Sequence, residues 1–543
     1  MSKRHKNLSR NVARGSSAKQ YDFSRVPISR FPRTKFGYSQ RHVTTFNSGY
    51  LVPILVKEML PGDTINLTHD SLVRMITPLV PLMDNVYLDV LAFSCPCRLV
   101  WDNWEGFITG QYTLSNVPQV VSTAGFVEKS FWDYAGVPTK VANTSVNALF
   151  GRAHNLIWNE WFMDQNLQTA AVVRTGDTGD LEADVSIYRR GKRHDYFTSC
   201  LPWPQKGTAV DIALSGNAPV YGDGKALGLT DGTHSVGMFG TTAPALAAVS
   251  TAYNVLVGTA TSAGTYLNVN EAVGVVTSGA SGLLADLSSV SAVTINALRQ
   301  AIQYQGILEL EARGGTRYVE WLLSAFGVTA DDYRLQRPEF LSGNSTRLTV
   351  APVAQTSASV SGQTPQGNLS AFVVGGTKSL RIFKSFIEHS MLFVYVEIRA
   401  DMTYQQGLHK QWSRSSRYDF YHPMLARLGE QAVLNQEIYL QGTASDTAVF
   451  GYQERWAEYR YTPSIVTASM RSNATATFDI WNLAYDFAAL PVLNDTFIQD
   501  DSPFSRVVAV TTEDQFYGDF MFSGWLARVM PPHSVPATLL TRI

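Results

Sequence analysis

Short apolar stretches bounded by turn residues recur from one end of this 543-residue chain to the other. They are rich in β-branched and aromatic residues, and turn sequences such as Pro-Gly-Asp at 61–63 separate the first of them. The stretches are residues 50–56, 86–93, 392–398, 437–440 and 507–510. Because these predicted strands are far apart in the sequence, they favour long-range pairing in a two-sheet sandwich or jelly roll over a meander barrel.

Two other stretches have the periodicity of helices, residues 146–162 and 295–308. In the first, Leu149, Ile157 and Trp158 fall on one face, and in the second Ile295, Leu298, Ile302 and Leu308 do so before a Gly-Gly stop at 314–315. Apolar stripes of this kind usually pack in a core, and we expect the same here. Helices inserted between strands would make the connecting loops substantial layers.

Charge is strongly segregated along the chain. Residues 1–41 contain eleven Lys and Arg and one acid, a balance of +10, whereas the remainder has a balance of −11. An arm of this kind is typical of proteins that neutralise a polyanion, so nucleic acid is the first partner to consider. A solvated tail or a targeting peptide is the alternative. The candidate nucleic-acid-binding residues are Lys3, Arg4, Lys6, Arg10, Arg14 and Lys19.

The composition of the whole chain indicates a covered surface. Only 16% of residues are charged while 45% are apolar, which suggests that further copies of the same chain cover much of the surface. Three cysteines are too few for a disulfide framework, and this predicts maturation in a reducing cytoplasm. No window of about 18 to 20 apolar residues is present, so no membrane span is expected.

Residues 207–292 differ from the sequence around them. They contain 13 Gly, one basic residue and five acids, with strand-like runs at 253–257 and 272–276. A flexible linker is one interpretation of such a composition. The strand-like runs favour a small β excrescence on the surface.

The common spacings of catalytic and cofactor-binding residues are absent from the sequence, so neither an enzyme nor a bound cofactor is predicted. Cys95-Pro-Cys97 has no nearby His, and two packed thiols are a better interpretation than a metal site. His194, His409 and His422 are scattered, which is more typical of structural or loop residues than of catalytic bases.

Two clusters combine arginine with aromatic residues. The first is Trp412, Arg414, Arg417 and Tyr418, and the second is Arg455, Trp456, Tyr459, Arg460 and Tyr461. Such groups stack on each other, pair with acids, or line a groove for single-stranded bases, and subunit contacts use the same residue types. Glu454 and Glu458 make nucleic acid a weaker candidate for the second cluster.

Longer blocks of sequence resemble the major capsid protein of gokushoviruses, small single-stranded DNA phages of the Microviridae. The blocks are TTFNSG at 44–49, LPGD at 60–63, TPLVPLMDNVYLD at 77–89, RLVWDNW at 98–104, NEWFMDQN at 159–166, LPWPQKG at 201–207, ARGGTRY at 312–318, LQRPEF at 335–340, TYQQG at 403–407, LGEQ at 428–431, FGYQERWAEYRY at 450–461 and PHSVP at 532–536. Their order and their spread over nearly all of the chain except residues 207–292 make the resemblance specific.

The resemblance implies a mainly β fold, an eight-stranded viral jelly roll with long loop insertions that contain helices. It implies self-assembly into a small icosahedral T=1 shell around circular single-stranded DNA in the bacterial host cytoplasm. The implied partners are an internal scaffolding protein, a small basic DNA-binding protein, a DNA pilot protein and a host cell-surface receptor. The expected organisation is a basic arm at 1–41, jelly roll at 42–206, a threefold protrusion at 207–292 and the rest of the jelly roll at 293–543.

Two other classes of protein fit the residues less well. A monomeric DNA- or RNA-binding protein would explain the basic arm, and a β-sandwich hydrolase or carbohydrate-binding protein would explain the strands. A particle tens of nanometres wide distinguishes a shell subunit from both.

Overall fold

The computed structural model describes residues 32–111, 116–208, 210, 295–329, 331–332, 334, 336–357, 361, 366–377 and 379–533, together with six short strands between 220 and 285. Within these residues the chain forms twenty strands and seven α-helices. The strands are β1 (Arg33–Phe46), β2 (Val52–Met59), β3 (Thr64–Met75), β4 (Val86–Pro96), β5 (Gln119–Ser122), β6 (Thr144–Asn147), β7 (Val220–Gly222), β8 (Leu227–Thr230), β9 (Ser235–Met238), β10 (Leu256–Gly258), β11 (Tyr266–Asn268), β12 (Leu283–Ala285), β13 (Glu339–Arg347), β14 (Thr349–Ala354), β15 (Leu369–Gly375), β16 (Leu380–Ser385), β17 (Ser390–Ala400), β18 (Glu430–Leu434), β19 (Val449–Glu454) and β20 (Phe516–Val529). The helices are α1 (Trp104–Thr109), α2 (Phe131–Tyr134), α3 (Leu149–Trp161), α4 (Ile295–Gly314), α5 (Tyr318–Phe326), α6 (Asn435–Ile438) and α7 (Asp495–Ile498).

Two antiparallel sheets form the main body. One has the strand order β1-β20-β3-β15-β14, with β16 also paired to β3, and the other has the order β13-β4-β17-β2. The chain crosses repeatedly from one sheet to the other, and its first and last long strands pair along their whole length. This order is that of a jelly roll, so the predicted mainly β jelly roll with helix-bearing insertions is confirmed.

The two sheets contain six and four strands in the described part of the chain, rather than eight in total. One reason is that β15 and β16 pair with successive parts of β3 and are separated by a short break. At the break, a Cβ on Gly376 would lie 1.8 Å from the Ser71 carbonyl oxygen, so only glycine allows this approach. The other reason is the additional edge strand β14.

The main hydrophobic core lies between the two sheets. The six-stranded sheet contributes Leu67, Phe520 and Phe522, and the four-stranded sheet contributes Leu88 and Val396, all almost fully buried. Alternate residues of β20 point into this core, which explains its alternating burial. Burial of these side chains is the main source of stability for a sandwich.

A second hydrophobic cluster covers the opposite face of the four-stranded sheet. There Phe393 and Tyr395 of β17 pack with Ile157 and Trp158 of α3 and with Trp101. Because both faces of the sheet are covered, every residue of β17 is buried, which explains the apolar run from Met391 to Val396. The predicted helix at 146–162 is confirmed as α3, and so is its packing.

Three predictions about local structure are wrong. Residues 437–440 were predicted as a strand, but Asn435–Ile438 is helix α6, because the Glu437 carboxylate accepts a hydrogen bond from the Leu434 amide and caps a helical turn. Residues 507–510 make a single bridge to Pro78 at Val508 instead of a ladder. The second predicted helix is confirmed as α4, but Ile295, Leu298 and Ile302 of its apolar stripe are exposed, and no residue of α4 joins the described hydrophobic clusters.

The described residues divide into two compact units, one formed by segments up to Pro204 and from Glu311 onward, and the other by Gln205–Leu310. The second unit contains three two-stranded sheets, β7-β12, β8-β9 and β10-β11, and most of α4. The strand-like run at 253–257 overlaps β10, whereas the run at 272–276 lies outside the described residues.

Candidate nucleic-acid and subunit interfaces

The six basic residues predicted to contact nucleic acid lie outside the described residues. The description begins at residue 32, and residues 33–41 of the predicted arm already belong to strand β1. In this strand Arg33, Lys35 and Arg41 alternate with half-buried residues and are exposed. Among the described strands, β1 pairs only with β20, so the described end of the arm is a basic edge strand.

Beyond β1, the outward face of the six-stranded sheet carries further basic and aromatic side chains. The pairing register places Gly37, Trp525, Asn66 and Phe383 in one row across β1, β20, β3 and β16. The Lys35 Nζ lies 4.6 Å from the centroid of the Trp525 ring. In this row the aromatic rings of Trp525 and Phe383 therefore lie one on each side of the Asn66 amide. We call the face formed by β1, β20, β3 and β16 the sheet platform.

Positive charge exceeds negative charge on the sheet platform. Its basic residues are Arg33, Lys35, Arg41, Arg74 and Arg381, and its acids are Asp70 and Asp519. Arg381 donates from Nε to the Asn66 Oδ1 at 2.9 Å and lies over the Phe383 ring. Arg41 and Asp519 form an exposed ion pair at 2.7 Å, and the hydrogen bond from Arg41 lowers the pKa of Asp519.

A second exposed surface lies in the connection between β17 and β18. We call residues 409–428 the aromatic loop. Trp412, Tyr418, Phe420, Tyr421 and Met424 in this loop are each more than half exposed. An apolar surface of this size on a folded chain is typical of a contact site for another macromolecule.

The structure brings the two predicted arginine and aromatic clusters together. Arg414 of the aromatic loop lies 3.4 Å from Glu458, and its guanidinium lies 4.3 Å from the Tyr459 ring centroid. Glu458 is buried and also accepts a hydrogen bond from Gln431 at 2.6 Å. Tyr421 packs edge-on against Trp456. Arg414 therefore holds the aromatic loop to the turn that follows β19, through the acid Glu458. Pairing with an acid was one of the interpretations predicted for these clusters.

Two of the three scattered histidines have structural contacts. His409 and His422 each accept a hydrogen bond through Nδ1 from the backbone two residues on, at 3.2 and 3.3 Å, and so cap short turns of the aromatic loop. His194 is exposed. The interpretation of these histidines as structural or loop residues agrees with these positions.

A cluster of charged residues that the sequence analysis missed lies under the helix-side face of the four-stranded sheet. Asp89 and Glu397 are directly opposite each other in β4 and β17, and Arg399 bonds Asp89 at 2.8 Å and approaches Glu397 to 3.1 Å. Burial raises the pKa of Glu397 to about 7, although Arg190 also pairs with it. Burial acts to raise the pKa of Asp89, but the hydrogen bond and charge of Arg399, with further hydrogen bonds, together outweigh burial and the pKa is lowered.

The sequence signal for this cluster was an acid within each of two otherwise apolar strands, VYLDVLAF and LFVYVEIRA. Charged residues that interrupt buried strands are almost always paired with each other. Glu397 is completely buried, so this cluster is structural: its ion pairs join β4 and β17 to each other and to the segment that contains Arg190.

The cysteines are buried thiols. Cys95, Cys97 and Cys200 are all free, and burial raises the pKa of Cys97 to about 12. In the described part of the chain, no group of three or more His, Cys, Asp or Glu side chains is arranged to hold a metal ion. The described helices also include none that is long and apolar enough to cross a membrane.

Comparison with known proteins identifies the family. The model of the family described as capsid protein (F protein) matches residues 24–538. The chain belongs to this capsid protein family. It is 44% identical to the capsid protein VP1 of Bdellovibrio phage phiMH2K over 96% of this chain and 99% of that protein. It is 43% identical to the capsid protein VP1 of Chlamydia phage 1 over 95% and 97% of the two chains, and 36% identical to that of Spiroplasma virus 4 over 96% and 98%.

The resemblance to gokushovirus major capsid proteins is thereby confirmed. This capsid protein is a structural component of a virion and not an enzyme. A capsid subunit assembles with copies of itself into a shell, so the alternatives of a monomeric nucleic-acid-binding protein and a β-sandwich hydrolase no longer apply.

Proposed function

We propose that the shell built by this capsid protein encloses a circular single-stranded DNA genome, and that the basic arm at 1–41 contacts the DNA. The segregation of charge carries this proposal, since the arm has a balance of +10 and the rest of the chain −11. Each Lys or Arg near a phosphate releases condensed counterions, which favours binding. Arg33, Lys35 and Arg41, exposed on β1, extend the basic character into the described sheet.

The test replaces Lys3, Arg4, Lys6, Arg10, Arg14 and Lys19 with Gln. The fraction of DNA-filled particles in a density gradient should fall, while the folded subunit remains intact. A matched control exchanges Lys for Arg and Arg for Lys at the same six positions, which keeps the charge and should keep the filling. Normal filling of the Gln variant would contradict the proposal. A weak effect would indicate that a separate small basic protein carries most of the contact.

The aromatic loop is proposed to contact another copy of the chain in the shell. Its exposed side chains are Trp, Tyr, Phe, Met and Arg, the types enriched at protein interfaces. Arg414 is already tied to buried Glu458, which leaves less charge for phosphate. Tyr418→Asp with Met424→Asp should leave a folded chain that forms fewer particles, as sizing chromatography would measure. Unchanged particle yield would rule out this contact.

Residues 207–292 are proposed to form the surface protrusion at the threefold axes and to contact the host receptor. One basic residue against five acids makes phosphate binding unfavourable, and the Gly-rich composition suits a surface segment that tolerates change. Many weak contacts repeated around a shell gain strength by multivalency.

Replacement of this segment by a short Gly/Ser linker should preserve the shell and reduce adsorption to cells, counted as bound virions per cell. Failure to form shells would make the segment an assembly element, and normal adsorption would place the receptor site elsewhere. An internal scaffolding protein and a DNA pilot protein complete the proposed set of assembly partners.

A further inference from the structure

We propose that the sheet platform binds the bases of single-stranded nucleic acid, with Trp525 and Phe383 as stacking surfaces and Lys35 and Arg381 as phosphate contacts. This inference rests on the proposed function, because it places part of the packaged genome against the described body of the chain. The observation behind it is the row of Gly37, Trp525, Asn66 and Phe383 on an exposed sheet face.

The spacing of the two rings suits bases. Trp525 and Phe383 are two strands apart, about 10 Å in a regular sheet, with the shorter side chain of Asn66 between them. Phe383 is 58% exposed. Aromatic residues on the open face of a sheet stack bases in known single-strand readers because every base has a π face. Asn66 offers donors and acceptors to a base edge between the two rings.

Space beside the rings is also available. A Cβ added to Gly37 would meet no atom within 4 Å, so the space directly above Gly37, the neighbour of Trp525 in this row, is empty. The next row across the platform contains the small residues Ser39, Ser523 and Thr68 before Arg381. Flat, planar ligands fit between rings that are separated by small side chains, whereas a protein surface with protruding side chains fits such a face less well.

The cations of the platform are placed to reach phosphates. No described carboxylate pairs with Lys35, and the described partners of Arg381 are Asn66 and the Phe383 ring. In the aromatic loop, by contrast, Arg414 is tied to a buried acid. In the free protein Lys35 and Arg381 lie over the Trp525 and Phe383 rings. When a base stacks on one of these rings, the cation moves from the ring to the neighbouring phosphate, and its positive charge stays paired.

Continuity with the arm decides between nucleic acid and a second copy as the occupant. The arm enters the sheet at Arg33, on the same outward face and next to Lys35. A strand of DNA held by the arm therefore meets the platform without leaving the basic surface.

The experiment measures binding of the full unassembled chain to labelled oligothymidylate and to an abasic oligonucleotide of equal length. Trp525→Ala with Phe383→Ala should weaken thymidylate binding about fivefold or more for each ring and leave abasic binding nearly unchanged. Gly37→Leu, which covers Trp525 without removing charge, should weaken thymidylate binding in the same selective way. Phe478→Ala, an exposed ring remote in sequence from the platform strands, is the matched control and should have no effect.

The outcomes separate this inference from the proposed function. The six-residue Gln variant of the arm should weaken binding to both oligonucleotides alike, and if it does not, the proposed role of the arm fails. If the arm variant weakens binding while the two ring variants keep full thymidylate affinity, the platform inference alone is overturned. Loss of particle assembly with unchanged thymidylate affinity would make the platform a contact between copies and would also overturn it.

Discussion

The two sheets of the sandwich differ in what covers them. The four-stranded sheet has the inner core on one face and the cluster with α3 and Trp101 on the other, and all of β17 is buried. Among the described residues, the hydrophobic core covers the six-stranded sheet on its inner face only, and on β20 buried residues alternate with accessible ones. Both sheets contain aromatic residues, but Phe93, Phe393 and Tyr395 of the four-stranded sheet are buried by packing.

This difference separates stability from binding within one fold. A side chain on the fully covered sheet is constrained by neighbours on all sides, so its replacement leaves a cavity or an unpaired group. A side chain on the sheet platform has solvent above it, and its replacement costs little. Aromatic and basic residues on such a face are therefore available to contact a partner outside the chain.

The largest expected contrast comes from two phenylalanines. Phe393 of β17 is completely buried, whereas Phe383 of β16 is 58% exposed. Phe393→Ala should lower the free energy of unfolding by about 3–5 kcal/mol through loss of buried area and a cavity. Phe383→Ala should lower it by less than about 1 kcal/mol. Urea unfolding of the unassembled full chain measures both changes. Equal losses of unfolding free energy in the two variants would contradict the proposed difference between the two sheets.

The covered sheet also depends on a buried ion pair. Arg152 of α3 bonds both oxygens of Asp180, at 2.8 and 2.7 Å, and donates to the carbonyls of Val100, Gly176 and Thr178. Arg152→Met should cost about 3–5 kcal/mol because it leaves a buried carboxylate without a partner. Arg152→Met combined with Asp180→Asn should recover part of this loss in the same unfolding measurement. No recovery would show that the arginine acts mainly through the three carbonyls.

Two buried histidines have a pKa lowered to about 4, mainly through burial: His69 in β3 of the six-stranded sheet, and His154 in α3, which covers the four-stranded sheet. The unfolded chain binds protons at these residues near pH 6.5, before the folded chain does. The contribution of these two histidines to stability should therefore fall as the pH drops from 6.5 to 4 and level off below, by about 3 kcal/mol for each histidine. Glu397, whose pKa is raised to about 7, acts in the opposite direction over part of this range. Substitution of both histidines by Leu should remove their contribution, measured as the difference in unfolding free energy between the variant and the unchanged chain across that range.

At neutral pH the two histidines should differ. The ring nitrogens of His154 lie 3.0 Å from the Tyr395 hydroxyl and 3.0 Å from the Ser186 carbonyl, whereas neither nitrogen of His69 has a hydrogen-bond partner. His154→Leu should lower the free energy of unfolding by about 1–3 kcal/mol, because it leaves the buried Tyr395 hydroxyl and Ser186 carbonyl without this partner. His69→Leu should be neutral or stabilising. A loss at His69 as large as that at His154 would mean that stacking on Phe522 matters more than hydrogen bonding.

The sequence predicted the elements whose pattern follows directly from their burial. The mainly apolar runs at 86–93 and 392–398 became β4 and β17, because strands covered on both faces carry apolar side chains in both directions. Asp89 and Glu397 are the paired exceptions within them. Residues 437–440 were mistaken for a strand because apolar content does not reveal the cap that Glu437 provides. The sheet platform was not predicted, since the register that aligns Trp525 with Phe383 depends on residues far apart in sequence.

The smallest expected effect concerns the exposed ion pair of the platform. The side chains of Arg41 and Asp519 are 66% and 38% exposed, so water and salt screen their attraction. Arg41→Met should leave the free energy of unfolding nearly unchanged, and 0.5 M salt should erase any difference that remains. The same substitution at Arg152 is the internal comparison. If Arg41→Met cost as much as Arg152→Met, the outward charges of the six-stranded sheet would be part of its stability, and the argument that they are free to bind phosphate would fail.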